Sequence, residues 1–486
     1  MSTTSTRSTP AGGTPSALTA AQKFLRDAAE RSADLVHREI IRKNMESYDA
    51  AHRRGRTRFK DWEAARRRCQ QIKREAINHL DRYLLQFEEK VNARGGRVFW
   101  ATTGDEACAY IKDLAVSRGV KTVVKSKSMV TEEMHLAPVL EEQGIRVWET
   151  DLGEFIVQLR NEAPYHIVTP AMHLNRQQIR DLFRDKLGED IADADPQKLV
   201  ALARRKLREA FFAAEMGISG ANFIVADAGA VAISTNEGNG RLCTSLPRIH
   251  VAVTGIEKVI PRLVDLATLW PTLATSGTGQ PITPYSTLIA GPRKPGEADG
   301  PEEFHVVLLD NGRSSLLGNV EEREVLHCIR CGACLNICPV YRNIGGHSYN
   351  TTYPGPIGSV LTPHLRGSEF QHLSYASSLC GACTSVCPVN INLHHHLLHN
   401  RRDFTAAGGA RAAERRQFRL WKKAMLNPRL YALGGWMMRR GLRVIYGLGL
   451  SGTVFDPMRP WNRKRTPLPL PKQSFRKLWK KELNKG

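Results

Sequence analysis

The sequence predicts an α/β layered domain preceded by helices, followed by an all-α cysteine-rich module and closed by a basic helical region. Three observations carry this reading. Short β-rich runs alternate with amphipathic helical windows from about residue 97 to 309, the pattern of strands layered with helices. A ten-residue cysteine unit occurs twice, as CGACLNICPV at 331–340 and CGACTSVCPV at 380–389. Charge is distributed unevenly: 70 basic and 48 acidic residues give +22, and 22 basic against 4 acidic residues, or +18, fall within 391–486.

The 486 residues suggest about three folding units. Hydrophobic residues at 42% and a chain of this length exclude chain-wide disorder, a collagen-like fibre and a small disulfide scaffold. Residues 1–20 are rich in Ser, Thr, Gly and Pro, lack the apolar stretch of a secretory signal, and read as a disordered leader. Residues 21–95 read as charged, solvated helices with one buried stripe. Leu80, Tyr83, Leu84 and Phe87 mark that stripe at helical spacing, and Gly95-Gly96 ends the segment.

Residues 96–317 carry the α/β texture. Strands are expected at Arg97–Ala101, Thr122–Lys125, Arg146–Glu149, Asn222–Ala226, Ala230–Thr235, His250–Thr254 and Glu303–Leu309. Helical windows lie at Glu106–Ser117 and Thr131–Gln143. Lys125-Ser-Lys127-Ser128 follows a strand and precedes a helix start, a context that suits an anion or ordinary capping. Glu237-Gly-Asn239-Gly240 is a second loop of this kind. Cys69, Cys108 and Cys243 are isolated and read as buried structural thiols.

Residues 318–393 form the cysteine module. A linker helix is expected at Asn319–Leu326, and 340–370, rich in Gly, Pro, Ser, Thr and Asn, reads as a long loop. Cys328 precedes the first copy and completes C-x2-C-x2-C-x3-C-P with Cys331, Cys334, Cys338 and Pro339. This is the spacing of bacterial [4Fe–4S] ferredoxins. Three cysteines on one tight loop reach three corners of a cubane, and the fourth, followed by Pro, leaves the loop for the other cluster. Zinc sites space their C-x2-C pairs differently. The crossing rule assigns Cys328, Cys331, Cys334 and Cys387 to cluster 1, and Cys338, Cys380 and Cys383 to cluster 2. Ser377 stands where Cys328 stands in the first copy. The fourth position of cluster 2 is thus open to Ser377, to water or to a partner's group, or is absent in a [3Fe–4S] cluster. Ser377 as a plain loop residue is the competing reading.

The region 394–486 reads as basic, Trp-bearing helices ending in an extended Pro-rich stretch with Pro460, Pro467, Pro469 and Pro471. Leu430–Leu450 comes nearest to a membrane span, but Arg439, Arg440 and Arg443 interrupt it, so the expectation is a cytoplasmic protein. Trp421, Trp436, Trp461 and Trp479 among the basic residues suit an acidic partner or the inner face of the membrane better than nucleic acid. Gly447-Leu-Gly449-Leu-Ser-Gly452 matches a dinucleotide fingerprint, but Pro457 and Pro460 block the helix that must follow it. His394, His395, His396 and His399 read as a polar helix face, because three consecutive side chains diverge around a helix and cannot converge alone; a metal role is the competing reading.

Several stretches together resemble one family. They are VVKSKSMVTEE (123–133), ETDLGEFIVQL (149–159), GANFIVADAGAVAISTNEGNGR (220–241), FHVVLLDNGRSSLL (304–317) and SSLCGACTSVCPV (377–389). Over about residues 21–470 the chain is similar to the LutB-type lactate utilization proteins. The resemblance implies a LUD domain, related in fold to CoA transferases and sugar-phosphate isomerases, followed by a dicluster ferredoxin module. It also implies a seven-cysteine ligand pattern and electron transfer as L-lactate is oxidised to pyruvate. Implied partners are a CCG-motif iron–sulfur subunit and a second LUD-domain subunit. On this reading the chain is an electron-transfer component rather than a stand-alone catalyst, and no catalytic residue is assigned. Competing readings are the iron–sulfur subunit of another dehydrogenase and an iron–sulfur regulator that binds nucleic acid; no helix-turn-helix pattern supports the second.

Overall fold

The computed structural model describes residues 18–189, 192–463 and 465–483. Most of the expected leader, residues 1–17, lies outside the described residues. Its end is shorter than expected: Thr19 accepts a hydrogen bond from the Gln22 amide, Gln22 answers at the Thr19 amide, and this capping box starts a helix at Ala20. Four helices follow in order, Ala20–Ala33, Leu35–Arg56, Trp62–Asn78 and Leu80–Asn92.

Ten strands come next: β1 Arg97–Ala101, β2 Thr122–Lys125, β3 Arg146–Glu149, β4 Met216–Ser219, β5 Phe223–Val225, β6 Ala230–Thr235, β7 Ile249–Gly255, β8 Val259–Ile260, β9 Tyr285–Ile289 and β10 Glu303–Leu309. Six of them form a parallel sheet in the order β1-β10-β7-β4-β2-β3. The other four form a small mixed sheet, β8-β5-β6-β9. A parallel sheet needs cover on both faces. The helix Gly104–Ser117 covers one with Ala107, Ile111 and Leu114, packed near Val123, Val251 and Val307. Phe155, Phe183, Leu199, Leu202 and Phe211 cover the other over Val124. Gly217 in β4 is glycine for a steric reason: a Cβ there would sit 1.7 Å from the carbonyl oxygen of Cys243.

The N-terminal helices are not a separate solvated set. Leu80, Tyr83, Leu84 and Phe87 are buried, and so are Arg66 and Lys73. Arg66 Nε donates to the Cys387 carbonyl at 2.9 Å, and Lys73 Nζ to the Glu257 carbonyl at 2.5 Å. Tyr165 OH meets His37 Nε2 at 3.0 Å. These helices therefore bind the α/β domain to the cysteine module, and one hydrophobic core runs through all three.

The segment 340–370 is not a long loop. It holds helix Gly355–Arg366, whose first eight residues, Gly355 to Thr362, are all buried, and the start of a 3-10 run from Ser368 to Tyr375. Pro356 lies in the first turn of the helix and Gly367, at φ +97°, stops it, while Gly358 and Pro363 lie within it. The expected linker helix 319–326 is a 3-10 run, Arg323–His327. The boundary placed after residue 393 falls inside helix Leu393–Ala406, and the chain divides into two compact units between Asp403 and Phe404. The second unit contains helices Ala412–Leu426 and Pro428–Gly447. Its Pro-rich end, expected to be extended, holds short helical turns at Arg459–Asn462 and Phe475–Leu478. Gly449 and Gly452, at φ +70° and +77°, form a turn after Leu448 rather than open a helix. No helix among the described residues is long and apolar enough to cross a membrane.

Candidate iron–sulfur site

The two cysteine copies have the same local build. Gly332 and Gly381, at φ +79° and +76°, cap helices Ala333–Ile337 and Ala382–Val386, and Cys338 and Cys387 end them before a proline. Arg330 and Leu379 both adopt left-handed backbone, at φ +59° and +56°. The equivalence extends to Ser377. The Arg330 amide donates to Cys328 Sγ at 3.4 Å, and the Leu379 amide donates to Ser377 Oγ at 3.1 Å.

Cys328, Cys331, Cys334 and Cys387 line one small cavity with Ile329, Ile357 and Val389. Burial pushes the thiols of Cys331, Cys334, Cys338, Cys383 and Cys387 up. Neighbouring sulfurs add to that rise in two sets. Cys387 and Cys328 act on Cys331, whereas Cys338 and Cys380 act on Cys383. The sets adjoin, because Cys328, Cys331, Cys383 and Cys387 all act on Cys334. Backbone amides meet the sulfurs, the Ile391 amide reaching Cys387 Sγ at 3.3 Å. Converging buried thiols with amide donors fit iron–sulfur clusters, whose iron takes the thiolate form and whose sulfurs accept N–H bonds. Cys380 is exposed, so the second set opens to the surface.

A buried ionic network ties this module to the α/β domain. Arg313 Nε meets Glu257 Oε2 at 2.6 Å, and its Nη2 meets Glu133 Oε2 at 2.8 Å. Arg330 Nη2 meets Glu257 Oε1 at 3.3 Å, and Tyr353 OH donates to Glu133 Oε2 at 2.7 Å. Burial works to raise the Glu257 carboxyl, but Arg313, Arg330 and Lys258 overcome it and hold Glu257 at about 2. Arg330 was not singled out by the sequence, although its place between Cys328 and Cys331 was the available signal.

A cavity of about 530 Å³ lies beside the first cysteine set, which it reaches at Arg330 and Cys331. It sits past the carboxyl ends of β2, β3 and β4, where Ser126–Ser128, Asp151–Gly153 and Gly220–Asn222 line it. Both candidate anion loops border it, through Lys127 and through Glu237 and Asn239. Lys125 is not available there: it is buried against Glu132, Glu149 and Glu154 at 3.1, 2.8 and 3.8 Å. Lys127 Nζ donates to the Val168 carbonyl at 2.6 Å.

His394 and His396 diverge as expected for near neighbours on a helix, but His396 and His399, one turn apart, converge with Glu322, their ligand atoms within 4.8 Å of one another. His394 Nδ1 pairs with Thr384 Oγ1 at 2.8 Å, whereas His396 Nε2 pairs with Glu324 at 3.0 Å and His399 lies 3.8 Å from Glu322. Cys69, Cys108 and Cys243 are buried, and burial raises each thiol, that of Cys69 to about 11.

Three family models match the chain: LUD domain over residues 84–309, 4Fe-4S dicluster domain over 324–391, and Lactate utilisation protein B, C-terminal over 405–484. A dicluster domain carries two iron–sulfur clusters, which accounts for the doubled cysteine unit. Among curated proteins, a lactate utilization protein B of Bacillus cytotoxicus is 46% identical over 435 residues, covering 88% of this chain and 90% of its own. Proteins of the same name from Bacillus cereus and Bacillus thuringiensis are each 45% identical with the same coverage. A solved structure of a DUF162 family protein from Deinococcus radiodurans covers 47% of this chain and 98% of its own at 11% identity and a TM-score of 0.27, too low to bear on the fold.

Proposed function

The chain belongs to the lactate utilization protein B family, and from that premise we propose that it is an iron–sulfur electron-transfer subunit of an L-lactate oxidising system. The observation that carries the reading is the pair of adjoining cysteine sets, one beside an internal cavity and one opening to the surface at Cys380. Cys328, Cys331, Cys334 and Cys387 would hold cluster 1, and Cys338, Cys380 and Cys383 would hold cluster 2. Each cluster, when bound, takes and gives one electron at a time. The chain's own part is to keep water from the first set, through Val325, Ile329, Leu335 and Ile357, and to direct amides at the sulfurs. Arg330 and Lys258 place positive charge beside Cys328, which favours the more negative, reduced state. The exposed Cys380 side is the natural point of exit toward a partner.

The partners on this reading are a CCG-motif iron–sulfur subunit and a second LUD-domain subunit, with the membrane's inner face as a further contact. Growth tests the function. A strain deprived of this chain is expected to stop growing on L-lactate and to recover with the intact chain but not with Cys331→Ala. Full recovery with Cys331→Ala would contradict the reading.

The unit from Phe404 onward carries 20 basic and 3 acidic residues, so 20 − 3 = +17. Its helices expose Phe418, Trp421, Leu430, Trp436 and Met437 among those charges. All seven module cysteines lie upstream. Truncation after Asp403 is therefore expected to leave iron bound but to abolish co-sedimentation with partner subunits or anionic vesicles. Binding of the intact chain should weaken as salt rises, because screening acts over about 10 Å at 0.1 M. Equal binding by both chains at every salt concentration would contradict a docking role.

A further inference from the structure

The 530 Å³ cavity has two chemically different parts. Most of its wall is apolar and includes Met129, Ile156, Ile233, Leu273 and Ala274. Three of its charged groups, Lys127, Asp151 and Glu237, lie near one another and offset each other, whereas Lys258 and Arg330 form a separate cationic part at the Cys331 end, where Arg330 acts on Lys258 and Cys328 on both. Arg330 is anchored by Glu257 and by stacking 4.6 Å over the Tyr353 ring, and its Nη1 is buried without a hydrogen-bond partner. Lys258 is 5% exposed and forms no ion pair among the described residues. Ser234 Oγ, on the same wall, is also buried and unpartnered. The other nearby cations are engaged, Arg313 by two glutamates, Lys73 by two carbonyls and Lys127 by the Val168 carbonyl beside Glu237. Unsatisfied donors around a roomy space call for an acceptor. The position, past the carboxyl ends of parallel strands, is where α/β sheets bind ligands. The nearby helix start at Leu152 offers no free phosphate cradle, since Asp151 Oδ1 already accepts from the Gly153 and Glu154 amides.

We propose that this cavity is a binding site for a monocarboxylate, whose carboxylate lies on Lys258 and Arg330 against the Cys331 loop and whose carbon chain lies along the apolar wall. The ligand touches the loop that carries cluster 1, so its charge is felt there. The volume exceeds what a three-carbon acid fills, and longer chains should therefore bind more tightly by burying more apolar surface. The choice of 2-hydroxy acids as probes rests on the lactate reading; binding of a monocarboxylate does not.

The test is isothermal titration of the full-length, iron-loaded protein, purified anaerobically, with L-lactate, 2-hydroxyhexanoate, hexanoate and inorganic phosphate. EPR of the reduced protein is recorded with and without each acid. Saturable binding of the carboxylates is expected, tighter for the six-carbon acids and absent for phosphate, with a shift in the cluster 1 signal. Lys258→Met should weaken binding about tenfold or more, the size of one charged hydrogen bond, at unchanged iron content. Ala274→Phe, which fills the apolar part without altering charge, should block the six-carbon acids. If only unsubstituted hexanoate binds, the site stands and its link to lactate fails. No saturable binding by any acid, or binding indifferent to both substitutions, overturns the proposal, and the two cations then serve only to offset cluster charge.

Discussion

Cys387→Ala is expected to cost the protein the same cluster as Cys328→Ala, although 58 residues lie between them. Both line the cavity shared with Cys331 and Cys334, and both act on the Cys331 thiol. Each variant should retain the EPR signal of the other cluster and roughly half of the wild-type content of about seven to eight irons. Cys338→Ala should remove the other signal instead, even though Cys338 belongs to the first copy by sequence. A ligand set drawn from each copy separately would give the opposite grouping: Cys328 with Cys338, and Cys387 with Cys380 and Cys383.

Glu257→Ala should produce the largest loss of stability. Glu257 is 1% exposed and accepts from both Arg313 and Arg330, so its removal leaves the buried Arg330 guanidinium without a carboxylate and Arg313 with Glu133 alone. Breaking a buried pair in this way costs about 3–5 kcal/mol. The thermal midpoint of the iron-loaded protein should fall by several degrees, and less in Glu257→Gln, which keeps the shape and part of the hydrogen bonding. The sign of the pH dependence follows from the lowered carboxyl. Folding holds Glu257 at about 2 against an ordinary 4.5, so its contribution is complete above 4.5 and is lost as pH falls from there toward 2. The difference in stability between wild type and Glu257→Ala should therefore narrow in acid; a constant difference from pH 7 to pH 3 would contradict the ionic role.

Local patterns explain which parts of this fold were legible in the sequence. β1, β2, β3, β6 and β10 stand where β-rich runs predict them, because Val, Ile, Phe and Trp dominate these short segments. β4, Met-Gly-Ile-Ser, escaped notice because its glycine, required by the approach of Cys243, weakens the strand pattern. β8 has only two residues and takes its meaning from its neighbour β5. The helical window at 131–143 is broken by His135, which adopts left-handed backbone at φ +53°. The segment 340–370 looks like a loop because its Gly and Pro residues, at the ends of helix Gly355–Arg366 and, as Gly358 and Pro363, within it, read as breakers without its buried face in view. At the site, fixed short spacing made the cysteines readable. The cavity was not readable, since it is assembled from loops at 126–128, 151–153, 220–222, 258 and 330. Arg330, Lys258 and Glu257 acquire their roles only through packing across domains.

If this chain carries electrons from L-lactate, its clusters must become reduced when lactate is oxidised. That reduction is tested most directly by freeze-quench EPR of the anaerobic, iron-loaded protein mixed with its partner subunits and L-lactate. Reduced-cluster signals are expected to appear on lactate addition, to require the partner subunits, and to lose the cluster 1 component in Cys387→Ala. Clusters that stay oxidised in the complete mixture with lactate, yet are reduced by dithionite, would contradict that role.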